Sequence, residues 1–122
     1  MAVTSINLTI EKGTDFEALF IISAEDGSLL NFTGHSATAK IRKYPSSPIS
    51  FDFDVSLNIS ESSIKIEMSR ETTALLPTGR NYFDILLKYE TDNKVTKVVA
   101  GTIIVEETSA LWVILSEPKT AI

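Results

Sequence analysis

Large apolar residues recur at every second position along most of the chain, which is the period of a β-strand rather than that of a helix. The alternation is cleanest from residue 49 to residue 57, where Ile, Phe, Val and Leu alternate with Ser and Asp. Turn-forming residues such as Asp, Asn, Gly and Pro separate this segment from others like it. The predicted strands span residues 6–10, 16–23, 36–44, 49–57, 64–68, 81–90 and 95–105. Strands at this spacing predict an all-β, immunoglobulin-like antiparallel sandwich of seven to eight strands.

The same alternation predicts which side chains point into the core. In the second strand the even positions are apolar, and Leu19 and Ile21 make the opposite side apolar as well, which predicts cover on both sides of this strand. In the segment 49–57, Asp52 and Asp54 are expected to share the solvent side because they are two residues apart. The residues expected on core faces include Ala37, Ala39, Ile41, Phe51, Phe53, Val55, Phe83, Ile85, Leu87 and Tyr89.

Only one segment favours a helix. Residues Arg70 to Leu76 carry helix-compatible side chains, and Pro77 and Gly79 end the segment after a turn or two. The sequence therefore predicts at most one short helix in an otherwise all-β domain.

Composition narrows the classes of protein to which the chain can belong. The 122 residues suffice for one domain with its own core, and the absence of cysteine excludes disulfides and thiolate chemistry. The formal net charge is −5, which disfavours nucleic-acid binding, and Lys40 and Arg42 in the densest basic cluster are expected to share a solvent face. No apolar run is long enough to cross a membrane, and residues 1–10 do not have the pattern of a secretory signal, so we expect no membrane partner.

The residues that could support catalysis are few and scattered. His35 is the only histidine, and no motif of a nucleophilic serine surrounds any Ser in the chain. We therefore expect no enzyme activity, no cofactor, no metal and no small-molecule substrate. Two acidic turn segments, Glu106-Glu107 and Asp92-Asn93, offer oxygen ligands for calcium, but neither has the spacing of an EF-hand loop.

One segment has the composition of a sheet corner. An apolar turn that ends in Pro77-Thr78-Gly79 is followed by Tyr82 at the start of an alternating strand. This arrangement is similar to the tyrosine corner of immunoglobulin-like sandwiches, in which a Tyr hydroxyl bonds to upstream backbone. The similarity implies that Tyr82 lies at the corner with its hydroxyl satisfied.

Several segments together resemble a known family. They are Ile6 to Phe16, Asp26-Gly27-Ser28, Phe32-Thr33-Gly34, Ala39-Lys40-Ile41-Arg42, Leu76-Pro77-Thr78-Gly79 and Tyr82-Phe83-Asp84-Ile85. In this order they resemble small immunoglobulin-like virion proteins of tailed bacteriophages, including N-terminal domains of upper baseplate and tail-fibre attachment proteins. The resemblance covers about residues 4–107 and rests on loose, structural motifs.

The resemblance implies a non-enzymatic structural component of a virion, located in the tail, baseplate or fibre-attachment region. Its partners would be other virion proteins and copies of itself. Two alternatives stay open, a capsid decoration protein and a carbohydrate- or receptor-binding module. The second would ordinarily expose aromatic side chains, whereas most aromatic residues here lie at positions predicted to face inward.

The end of the chain does not fit the sandwich pattern. We divide the chain into a sandwich of residues 1–107 and a segment of residues 108–122 that contains the only Trp. Its apolar run consists of Leu111, Trp112, Val113, Ile114 and Leu115. Contiguous apolar surface is unusual on a monomer, so these residues are predicted either to form an extra strand on their own sandwich or to be an arm that contacts a neighbouring protein. We take the run as the candidate protein interface.

Overall fold

The structure, a computed structural model, describes residues 4–23, 27–29 and 31–109. Within these ranges nearly all regular structure is β, as the sequence predicts. The elements in chain order are β1 (Thr4–Glu11), β2 (Phe16–Ile21), β3 (His35–Arg42), β4 (Ser50–Asp52), β5 (Asp54–Asn58), β6 (Ser63–Met68), α1 (Arg70–Thr73), β7 (Gly79–Tyr89) and β8 (Lys94–Glu106). No helix in the described ranges is long and apolar enough to cross a membrane.

The strands form two sheets that pack as a sandwich. A five-stranded sheet has the order β1-β8-β7-β3-β4, and a three-stranded sheet has the order β2-β6-β5. The pairing of β2 with β6 and β5, opposite β3, β7 and β8, is that of the immunoglobulin fold. The predicted all-β immunoglobulin-like sandwich is therefore confirmed.

One strand pair is parallel, although the sequence pattern predicts an antiparallel sandwich. β1 runs parallel to β8, with Ile6 opposite Gly101. A Cβ atom at Gly101 would lie 1.7 Å from the carbonyl oxygen of Ile6, so only glycine permits this approach. Since alternation is the same in parallel and antiparallel strands, the sequence pattern does not distinguish the two.

The predicted strand 49–57 is two strands in different sheets. β4 pairs with β3 in the five-stranded sheet, and β5 pairs with β6 in the three-stranded sheet. Phe53 lies at the crossing, where its backbone N–H donates to the carbonyl of Ala39 at 3.0 Å. Phe53 is 5% exposed, and its ring lies 5.9 Å from the ring of Phe16, centre to centre. Asp52 and Asp54 are both exposed, but the expectation that they share one face is wrong because the crossing puts them on opposite outer surfaces.

The core lies between the two sheets and largely follows the predicted parity. Of the residues expected there, Ala39, Ile41, Phe53, Phe83, Ile85 and Leu87 are buried, and Ala37, Phe51 and Val55 pack against them while partly buried. The predicted burial is wrong for Tyr89, which is 39% exposed. It ends β7 at the rim of the sandwich, where its ring lies 5.0 Å from the ring of His35.

The helix and the corner after it are held by side chains that bond to backbone. α1 is shorter than predicted, and the buried Thr73 in it donates its hydroxyl to the carbonyl of Thr14 at 2.8 Å. The same hydroxyl oxygen accepts the N–H of Gly13 at 3.0 Å. These bonds tie the helix to the turn between β1 and β2.

Asn81 has the corner role that the sequence suggests for Tyr82. Its side chain is fully buried, and Nδ2 donates to the carbonyls of Pro77 at 2.9 Å and Gly79 at 3.1 Å. Tyr82 is only half-buried, faces outward from the five-stranded sheet, and makes no hydrogen bond to a described residue through its hydroxyl. The predicted tyrosine corner is wrong because strand parity turns residue 81, not residue 82, towards the core.

Replacing Phe53 by Ala tests the crossing. We expect the free energy of unfolding to fall by about 3–5 kcal/mol, because a large buried ring is lost from a packed site. Asp52→Ala, one residue away on the surface, should stay within about ±0.5 kcal/mol of the wild type. Urea unfolding followed by circular dichroism measures both, and a loss below about 1 kcal/mol for Phe53→Ala would contradict the burial described here.

Substitutions at residues 81 and 82 test the corner. Asn81→Ala should lower the free energy of unfolding by about 1–3 kcal/mol, because two backbone carbonyls lose their donor. Asn81→Asp should be worse than Asn81→Ala, since it places a carboxylate oxygen against those carbonyls. Tyr82→Phe is the control and should lie within about ±0.5 kcal/mol of the wild type. A larger loss in the free energy of unfolding for Tyr82→Phe than for Asn81→Ala would show that Tyr82 holds the corner, as the sequence predicts.

Candidate docking surfaces

The run Leu111 to Leu115, which the sequence suggests as a protein interface, lies outside the described residues. It stays a prediction. The described residues nevertheless present two outer surfaces that can bind a protein. We call the outer surface of β2, β6 and β5 the three-strand face, and the outer surface of the five-stranded sheet the five-strand face.

The three-strand face exposes large apolar side chains along its edge. Leu19 is 58% exposed and Ile21 is 65% exposed on β2, which pairs only with β6 among the described strands. Ile59, in the turn after β5, is exposed nearby and lines the same shallow depression as Leu19. The expectation that β2 is covered on both sides therefore does not hold within the described ranges. An edge strand of this kind offers unpaired backbone groups together with apolar side chains.

Next to these apolar residues, the three-strand face carries a row of carboxylates. Glu17 on β2 is directly opposite Glu67 on β6, and Glu67 is directly opposite Asp54 on β5. None of the three forms a salt bridge with a described residue. Like charges that face each other across strands destabilise a sheet. The row is therefore a feature that the stability of the fold does not require.

The five-strand face brings basic side chains from two distant segments together. Lys40 and Arg42 on β3 point outward, as the sequence predicts, and Lys97 on β8 joins them across β7. The three surround a depression of about 370 Å³ whose floor includes Ala100 and Thr102. The small floor residues leave a concave, positively charged surface.

Two carboxylates partly neutralise the positive charge around this depression. Asp52 lies 2.5 Å from the Nζ atom of Lys40, and Asp84 lies 3.6 Å from that of Lys97. Arg42 donates through Nη1 to the carbonyl of Ser47 at 2.6 Å and has no carboxylate partner among the described residues. Since all these side chains are at least partly exposed, the ion pairs are weak and can exchange for an incoming carboxylate.

The residues that the sequence singles out for chemistry have structural contacts. The ring of His35 is tilted by 32° against that of Tyr89, and its Nδ1 lies 3.2 Å from the carbonyl oxygen of Thr33. Within the described ranges no three His, Cys, Asp or Glu side chains converge in a way that could hold a metal ion.

The two calcium candidates are also engaged in turns. Asp92 accepts the N–H of Lys94 at 2.9 Å within the β7–β8 turn. Glu107 accepts the hydroxyl of Thr78 at 2.7 Å and lies 3.9 Å from Lys12. Asp92 thus closes its own turn, and Glu107 holds the segment after β8 to Thr78 and Lys12.

Comparison with known proteins adds no family assignment. No family model matches the chain, and no curated protein matches its sequence.

Proposed function

We propose that the chain is a non-enzymatic structural component of a tailed-phage virion, in the tail, baseplate or fibre-attachment region, and that it acts by docking onto other proteins. The observation that carries the docking is the exposure of Leu19 and Ile21 on the edge strand of the three-strand face. The virion setting rests on the resemblance over residues 4–107.

The energetics favour a partner on this face. Burying a Leu or Ile side chain fully is worth about 1.5–3 kcal/mol. Leu19 and Ile21 leave most of that free energy unused in the isolated domain, because more than half of each side chain is exposed. The edge of β2 that pairs with none of the described strands can add main-chain hydrogen bonds to a partner strand.

Serine substitutions at both positions test the docking face. In Leu19→Ser with Ile21→Ser, the melting temperature should change little because the side chains are exposed. Incorporation into particles should fall at least tenfold, as measured by immunoblot of purified virions assembled with the variant as the only source of the protein. The matched control is Leu75→Ser with Ile49→Ser, which removes apolar side chains that are 64% and 66% exposed elsewhere on the surface.

Two results would contradict the proposal. If immunoblots do not detect the wild-type protein in purified particles, and immunogold labelling in negative stain does not detect it on them, the proposed virion role is wrong. If the Leu19, Ile21 variant is incorporated as well as the wild type, the three-strand face is not the docking surface.

Deleting residues 109–122 tests the sequence-based prediction for the C-terminal run. Trp112 is the expected anchor, since tryptophan is enriched among the residues that dominate interface energies. If the run serves assembly, the truncated chain should keep its melting temperature but lose incorporation into particles. A sharp fall in melting temperature, with assembly retained by the folded fraction, would instead assign the run to the core of its own domain.

A further inference from the structure

The two outer faces of the sandwich differ in their balance of charge. The three-strand face has the carboxylate row Glu17, Glu67 and Asp54, with Lys65 as the only cation on its strands. The five-strand face has Lys40, Arg42 and Lys97 around its depression, and two further cations on β7 that form no salt bridge with a described residue, Arg80 and Lys88. Its carboxylates are Asp52 and Asp84, which pair with Lys40 and Lys97, and Glu11 and Glu106, which are opposite each other outside the lining of the depression. The two surfaces lie on opposite sides of one domain.

We propose that the three-strand face of one copy docks against the depression on the five-strand face of a second copy. In this contact the carboxylate row meets the cations around the depression. The inference builds on the proposed function, because it uses the same docking face and identifies its partner as another molecule of this chain.

The dimensions of the two surfaces match. Neighbouring strands are about 4.8 Å apart, so the row from Glu17 to Asp54 spans roughly 10 Å. On the five-strand face, Lys40 on β3 and Lys97 on β8 flank Asp84 on the intervening strand β7, which gives the two cations a similar separation. Glu17 and Asp54, the outer carboxylates of the row, therefore have a spacing similar to that of Lys40 and Lys97.

The apolar side chains fit the same docking arrangement. Leu19 is two residues from Glu17 on the same side of β2, about 7 Å along the strand. It is exposed at the edge of the three-strand face, whereas the five-strand face is concave over Ala100 and Thr102 beside the ring of Tyr82. An exposed Leu side chain can thus enter the depression while the carboxylates contact its rim.

One observation favours a second copy over an unrelated basic partner, namely that the chain itself carries a surface with cations at a similar spacing. When that surface binds, the carboxylate row that destabilises an isolated sheet gains counter-charges. The net charge of −5 opposes association of copies at long range, but salt at physiological strength screens charges more than about 8 Å apart. The short-range contacts between the faces therefore decide the outcome.

The symmetry of such a contact has a structural consequence. Because two different faces of each molecule are used, the contact is heterologous, and repeated contacts build a ring or a filament rather than a closed pair.

Two neutralised variants test the proposal in solution. The first replaces the carboxylate row, Glu17→Gln, Asp54→Asn and Glu67→Gln. The second replaces the cations of the depression, Lys40→Gln, Arg42→Gln and Lys97→Gln. Circular dichroism melting must first show that both are folded, and sedimentation velocity at about 0.15 M NaCl then gives the assembly state over a concentration series.

The expected pattern is specific to a head-to-tail contact. The wild type should form oligomers that grow with concentration, and each variant should associate at least tenfold more weakly. An equimolar mixture of the two variants should form a one-to-one dimer and nothing larger, because each variant keeps the face that the other has lost. Glu71→Gln with Glu90→Gln and Asp92→Asn is the charge-matched control, since it removes three exposed carboxylates outside the carboxylate row and outside the lining of the depression, and should associate like the wild type.

Other outcomes would overturn the inference. A wild type that stays monomeric, a variant that self-associates as well as the wild type, or mixed variants that fail to pair would each do so. Association that is abolished by EDTA and restored by Ca²⁺ would show that the carboxylate row binds a cation instead of Lys and Arg. If the wild type is monomeric while the Leu19, Ile21 variant is lost from particles, the inference fails and the proposed function stands.

Discussion

The crossing of the chain at Phe53 is the constraint on which the rest of the sandwich depends. Its backbone N–H completes the five-stranded sheet through Ala39, while its ring packs with Phe16 of the three-stranded sheet. One residue thus bonds to one layer and fills the space against the other. Without the crossing, β4 and β5 would continue in one sheet, and the opposite layer would lose an edge strand. The outer surfaces depend on it too, because it sends Asp52 to Lys40 and Asp54 to Glu67.

Strand positions and most of the core could be predicted from the sequence, because burial on one side of a strand imposes a period of two. Phe83, Ile85 and Leu87 follow this rule and are buried. The crossing could not be predicted, since the same alternation continues through residue 53 in both sheets. Tyr89 has the parity of a core residue but is the last residue of β7, at the rim of the sandwich. Parity does not show where a strand extends past the core.

The candidate docking surfaces could be predicted only in part. Lys40 and Arg42 share a strand, so their common face follows from their spacing, but Lys97 joins them only through the pairing of β3, β7 and β8. Apolar residues on both sides of β2 predict a covered strand, whereas a strand at a sheet edge can have the same pattern with one side open. In such a case the sequence pattern indicates that something covers the strand, but not whether the cover belongs to the same molecule.

The division between inside and outside explains why the outer faces can specialise. The stability of the domain resides in the buried residues between the sheets and in bonds such as those of Thr73 and Asn81, none of which involves the carboxylate row. A row of like charges slightly opposes folding, so its presence is easier to account for by a contact than by stability. The same reasoning applies to Leu19 and Ile21, which add apolar surface without adding core. The carboxylate row on one face and the cations around the depression on the other make the two sides of the domain different. A contact between two different faces of identical molecules extends in one dimension.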